Sequence, residues 1–184
     1  MIIWLNGLFG GGKRTLAANL REAIPGMVIA DPEAVGDVPR TALAGHALRP
    51  RDYQELPLRR TLTTGPVTAL ARHTGVPVTA PMTALNPASA TEMFTPLRQN
   101  GTLLHHLVLH TAPPVLRERI ESGWEYPGDV RRSEAVRAHR RRHAAGHHEA
   151  AAAWLHADGH VIDTTLYTPD QTLQAALVFL HTTG

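Results

Sequence analysis

The chain has 184 residues, 43% of them apolar and 18% charged, enough for one domain with a sizeable core and too apolar for wholesale disorder. It contains no cysteine, which excludes a disulfide-linked partner, thiolate metal sites and a cysteine nucleophile. The formal net charge is only +2, and a dense run of arginines falls within residues 117–142; a local cluster of this kind suits a phosphate-bearing ligand better than a long nucleic-acid track.

In chain order, "MIIWLN" is a short apolar run that stops at glycines and reads as a buried parallel strand, not a signal peptide, since no basic region precedes it. "KRTLAANLREAI" places Leu16, Leu20 and Ile24 on one helix face. "MVIA" is a second strand, closed by "DPE". Residues 35–58 read as irregular, with a short helix over 41–48. A helical pattern follows, with a kink or break expected at Gly65-Pro66. "VPVTAPMT" is a third strand, and "SATEMFTPLRQNG" a helix with Ser89 as cap and Glu92 at capping-box spacing. "TLLHHLVLHT" is a fourth strand, "PPVLRERIESG" a short helix and "WEYPGDVRR" a loop. The Ala- and Arg-rich stretch from Ser133 reads as mostly helical, weakened at Gly146; a fifth strand, "HVIDTT", and a closing helix complete the chain. Alternating strands and helices imply an α/β domain with a parallel sheet covered on both faces. No stretch approaches the roughly 20 apolar residues of a membrane span. The expectation is one cytoplasmic domain over residues 1–184.

Residues 7–13 form Gly-x-x-x-x-Gly-Lys between a strand and a helix, the context that a phosphate loop requires. Glycines let backbone N–H groups turn inward, and the following helix N-terminus favours an anion. Gly7, Gly10, Gly11, Gly12, Lys13, Arg14 and Thr15 are therefore candidate nucleotide contacts, with Lys13 set near the terminal phosphates. Arg14 stands where a Ser or Thr usually coordinates Mg²⁺. Thr15, one residue on, is the candidate hydroxyl for the metal; adenylate-kinase-type loops, which read Gly-Lys-Gly-Thr, set a precedent.

Asp31 ends the second strand and should lie on the same rim as the loop. A carboxylate there can accept a proton from a substrate hydroxyl, or can cap the helix that begins beside it. Glu33 and Asp37 are close by. The third strand carries no acid, which leaves Asp31 as the metal's acidic partner, directly or through water. A site this sparse in acids suits a small-molecule kinase better than a motor ATPase.

Arg131, Arg132, Arg137, Arg140, Arg141 and Arg142 crowd one loop and helix. Guanidinium forks bind phosphate oxygens, and the alternative is a solvated helix face. Arg131, Arg132, Arg137 and Arg141 are the candidate phosphate contacts. His139, His143 and His147 share a helix stripe, but no nearby carboxylate completes a metal set.

The segments "MIIWLNGLFGGGKRT", "IADPE", "YQELPLRR", "VPVTAPMT", "PPVLRERIESG" and "IDTT" fall in one order that resembles the tunicamycin resistance protein family of P-loop small-molecule kinases. The resemblance covers most of the chain and departs from the family pattern at Arg14 and Gly65-Pro66. It implies a three-layer P-loop fold, an adenylate-kinase-like core with sheet order 2-3-1-4-5. It implies ATP and Mg²⁺, and a uridine-containing acceptor such as tunicamycin. On this resemblance Asp31 is the catalytic base, Arg119 stacks on adenine, and Thr164 lies near the base in the 163–165 loop. An arginine-rich lid spans about residues 124–145 and an acceptor region about 34–60, with Glu33, Tyr53 and Met82 as acceptor contacts. The family has been associated with membranes, but the closing helix here lacks a basic polar face, which argues against that. A metabolic nucleoside kinase and a drug-sequestering protein are the rival readings.

Overall fold

The computed structural model describes residues 1–49, 57–99 and 101–183. Five strands form one parallel sheet in the order β2-β3-β1-β4-β5. These are β1 (Ile2–Gly7), β2 (Val28–Ile29), β3 (Val78–Pro81), β4 (Leu104–His110) and β5 (His160–Asp163). Each pairing is parallel, so the intervening chain must cross over through helices.

β1 is buried along its whole length because it is the central strand. Its residues alternate between faces, as a period of two requires. Ile2 and Trp4 face Val67, Met93, Phe94 and Leu97 from α3 (Pro57–Thr74) and α4 (Pro87–Gln99). Ile3 and Leu5 face Leu16, Leu20, Ala176 and Leu180 from α1 (Lys13–Ala23) and α8 (Pro169–Thr183). One strand thus anchors both helical layers, and the three-layer P-loop arrangement follows.

Three expectations need correction. Residues 35–58 do not open with irregular chain: α2 runs Pro32–Ala42, with Pro32 in its first turn and Pro39 inside. Proline is tolerated at the first turn, and packing of α2 against α3 outweighs the bond lost at Pro39. Next, α3 is continuous through Gly65-Pro66. Burial of Thr63 and Val67 on either side of the proline holds it against the sheet. Finally, α4 starts at Pro87, and its cap is Asn86, whose Oδ1 accepts the Ser89 N–H at 3.0 Å. Glu92 instead accepts from Arg60 Nε at 2.5 Å.

α5 (Pro113–Ser122) leads through a loop to α6 (Val130–Ala150), three residues earlier than the pattern from Ser133 suggests. Asp129 caps α6, its Oδ1 accepting from Arg132 N at 2.8 Å. The helix passes Gly146 unbroken, takes one π-helical turn over Ala151–Leu155 and ends in α7 (His156–Asp158). Among the described residues no helix is long and apolar enough to cross a membrane.

Candidate functional site

β1 delivers the chain into the loop, and a buried asparagine that the sequence reading passed over fixes the delivery. Asn6 Oδ1 accepts from Gly7 N and Ala84 N at 2.8 and 3.0 Å, and its Nδ2 donates to Ala84 O at 2.9 Å. Asn6 Nδ2 also lies 3.2 Å from His106 Nε2, and His106 Nδ1 lies 2.9 Å from Asp158 Oδ2. Since the amide nitrogen can only donate, Nε2 accepts and Nδ1 carries the proton toward Asp158. At the next residue, a Cβ on Gly7 would meet Leu109 O at 2.8 Å, so only glycine lets β1 and β4 stay this close where the loop begins.

The loop then turns through Gly10 and Gly12, both at positive φ, and Gly12 at φ 91° opens α1 without a side-chain cap. The first-turn N–H groups of α1 are thereby left for an anion. Lys13 is buried, and its Nζ donates to Gly7 O and Leu8 O at 2.9 Å each. Thr83 Oγ1 donates to Gly7 O at 2.7 Å, tying the exit of β3 to the loop.

Two cavities meet here. The first, about 260 Å³, lies among Gly10–Gly12, Thr15, Arg119, Thr164 and Tyr167. Arg119 Nη2 donates to Thr164 O at 2.7 Å, which fixes the guanidinium plane along one wall. Thr165 N–H and hydroxyl bonds hold Asp163 ionised, with its pKa below the usual range, and so lock the same turn. The second cavity, about 450 Å³, lies between the loop and α6, among Phe9, Gly10, Gly12, Lys13, Arg14, Thr15, Glu125, His139 and Arg140.

Asp31 lies just past β2 on this rim, where Arg14 Nη2 reaches its Oδ2 at 3.5 Å. Met82 is buried behind the loop, in the core with Trp4 and Phe94. Tyr53 and the side chains of Glu33 and Asp37 lie outside the described residues.

The arginines divide by helix face. Arg137 Nε bonds Glu134 at 2.8 Å, and its guanidinium stacks on Trp124 at 4.8 Å. Arg132 stacks on Tyr126 at 3.7 Å, and Arg141 pairs with both Glu121 and Glu134. Arg131 is exposed. Arg140, absent from the candidate set, lines the second cavity opposite Arg14, with Nη2 at 2.5 Å from Glu125 Oε2. Spacing puts Arg137 and Arg141 on one face of α6, at i and i+4, and Arg140 on another; the packing of α6 on α5 decides which of those faces meets the cavity.

The histidine stripe is used for packing. His139 and His143 set their rings edge-on to Phe9 at 5.4 and 6.2 Å. His147 is 1% exposed, and neither of its ring nitrogens has a hydrogen-bond partner among the described residues. Burial, with the nearby charges of His148, Lys13, His110 and His156, pushes its pKa down from 6.5 to about 4. Above pH 6.5 it is neutral folded or unfolded. As pH falls from 6.5 toward 4 the unfolded chain takes the proton first, so stability declines, by on the order of 3 kcal/mol at pH 4. Urea midpoints measured across this range should fall for the natural chain, and His147→Gln should flatten the decline. His106 and His110, also shifted down by burial, act in the same direction. Among the described residues no three His, Asp or Glu side chains come together as a metal-holding group.

The sheet order and the loop geometry decide the architecture. This chain has the P-loop kinase fold. Solved structures share it along nearly their whole lengths. The tunicamycin resistance protein of Deinococcus radiodurans matches at 21% identity and a TM-score of 0.69, over 98% of this chain and 95% of that one. A gluconokinase from Sinorhizobium meliloti 1021 matches at 17% and 0.59, over 98% and 91%. A shikimate kinase from Bacteroides thetaiotaomicron matches at 15% and 0.61, over 98% of each chain. None of the protein-family models matches the chain, and none of the curated proteins does.

Proposed function

We propose that the chain is an ATP-dependent phosphotransferase acting on a hydroxyl of a uridine-containing antibiotic, with tunicamycin as the acceptor and resistance as the outcome. The observation that carries this reading is the convergence on one rim of a phosphate loop with its lysine buried against it, an arginine-walled base cavity and Asp31. Similarity to the Deinococcus radiodurans protein supports the choice of acceptor.

In this reading the adenine lies on the Arg119 guanidinium beside Thr164, and the phosphates run along residues 10–13 toward Lys13. The terminal phosphate enters the second cavity, beneath α6. Asp31 accepts the proton of the acceptor hydroxyl as that oxygen attacks phosphorus, while Lys13 attracts the charge growing on the phosphoryl oxygens. Mg²⁺ would supply further neutralisation of the phosphates. Thr15 and Asp31 are the hard oxygen donors suited to it, few in number as is usual where Mg²⁺ keeps most of its waters. Glu33 and Tyr53 remain the proposed acceptor contacts, and Met82, its side chain buried in the core, leaves that set. The compartment of ATP, the cytoplasm, is the proposed location.

A second reading, a kinase of a small metabolite, is favoured by the matches to gluconokinase and shikimate kinase. Coupled ADP-release assays with tunicamycin, uridine, gluconate and shikimate separate the two. Stimulation by tunicamycin alone supports the first reading; stimulation by uridine or either metabolite, with none by tunicamycin, replaces it. Tight tunicamycin binding without ADP release would make the protein a sequestering one.

A further inference from the structure

Residues 124–126 are clipped to α6 one after another. Trp124 lies under Arg137, Glu125 bonds Arg140, and Tyr126 lies under Arg132. Ser133 Oγ adds a bond to Tyr126 O at 3.0 Å. This loop therefore belongs mechanically to α6, and its central carboxylate is aimed at the phosphate loop. Glu125 Oε2 is 2.5 Å from Arg140 Nη2, and Glu125 Oε1 is 3.8 Å from Arg14 Nη1. One carboxylate thus sits between two guanidiniums, one from the phosphate loop and one from the helix above it. The cavity that holds all three groups is also lined by Gly10, Gly12, Lys13 and Thr15.

We infer that Arg14 and Arg140 form a two-arginine anion clamp, and that the Glu125 carboxylate is its internal occupant until a terminal phosphate displaces it. The inference rests on the nucleotide reading of the loop and goes beyond it. It gives Arg14, the residue that departs from the usual hydroxyl, a phosphate-binding role. It also makes Glu125 a built-in competitor for the ligand. The chemistry is ordinary: guanidinium forks donate to carboxylate and phosphate oxygens alike, and the dianionic group, with three oxygens, outcompetes the monoanion. Glu125 is partly solvated, so holding it costs a phosphate ligand little, while its return to Arg14 ties α6 down over the empty loop.

The test uses inorganic tripolyphosphate as the probe, titrated by calorimetry without Mg²⁺ into the natural chain and into Glu125→Gln, Glu125→Ala and Glu121→Gln. Thermal melts confirm that each variant is folded. Glu121 is the control, because its carboxylate pairs with Arg141 away from the cavity. Removing the competitor should tighten tripolyphosphate about two- to fivefold in both Glu125 variants. Glu121→Gln should leave the affinity unchanged. Adding Arg140→Gln to Glu125→Gln should abolish the gain. Equal or weaker binding in both Glu125 variants overturns the clamp and leaves the nucleotide site standing, as does an equal gain in Glu121→Gln, which would signal net charge alone. Absence of any tripolyphosphate or ATP binding by the natural chain removes the nucleotide reading, and the clamp with it.

Discussion

Asp31→Asn is expected to lower phosphoryl transfer by about 10²- to 10⁴-fold, the usual range for loss of a positioned general base. The substitution keeps the shape of the side chain and removes its charge, and with it the ability to take the hydroxyl proton. Affinity for ATP measured without Mg²⁺ should change by no more than about twofold, because the ion pair that Asp31 makes with Arg14 near the loop is partly exposed. Single-turnover measurement with radiolabelled ATP, alongside equilibrium binding of the nucleotide, separates the two quantities. Retained turnover would remove Asp31 as the base. A parallel loss of ATP affinity would make it a structural partner of the loop instead.

Phe94→Ala is expected to be among the most damaging truncations in the core, at about 3–5 kcal/mol. The ring is 2% exposed and stands edge-on to Trp4 at 5.2 Å and to His106 at 4.9 Å, so both transfer energy and ring-pair geometry are lost. For a chain of this length the melting temperature should drop by about 10 °C. Its effect should reach the site as well, because His106 bonds Asn6, which in turn holds Gly7. Val178→Ala on the exposed side of α8 should shift stability by less than about 0.5 kcal/mol. Comparable melts for the two variants would mean that the cluster around Trp4 does not carry the fold.

Several parts of this molecule can be read from sequence because local chemistry dictates them. An apolar run ending in Gly-x-x-x-x-Gly-Lys leaves few alternatives to a buried strand, a phosphate loop and a helix, and β1 and α1 lie where that pattern puts them. Strand and helix alternation gives the parallel sheet, and the family resemblance supplies its order. Arg119 and Thr164, which the resemblance alone picks out, are 45 positions apart and lie 2.7 Å from each other. What stayed hidden depends on packing. Pro39 and Pro66 each argue against a helix locally; packing on α3 wins at the first and burial of Thr63 and Val67 at the second. Ser89 and Glu92 satisfy capping-box spacing, yet Asn86 is the cap and Glu92 is drawn to Arg60, a partner 32 residues away. Spacing separates Arg137 and Arg141 from Arg140, but only the packing of α6 sends the first two to Glu134 and Glu121 and the third to Glu125 at the cavity. Asn6 gave no signal, because one polar residue at the end of an apolar strand has no periodicity to mark it.

The most direct measurement of the central claim is mass spectrometry of tunicamycin after incubation with the protein, ATP and Mg²⁺. The account predicts a drug species heavier by one phosphate, formed in step with ADP and absent when Asp31→Asn replaces the natural chain. Unmodified tunicamycin, with the protein folded and ATP bound, would contradict it.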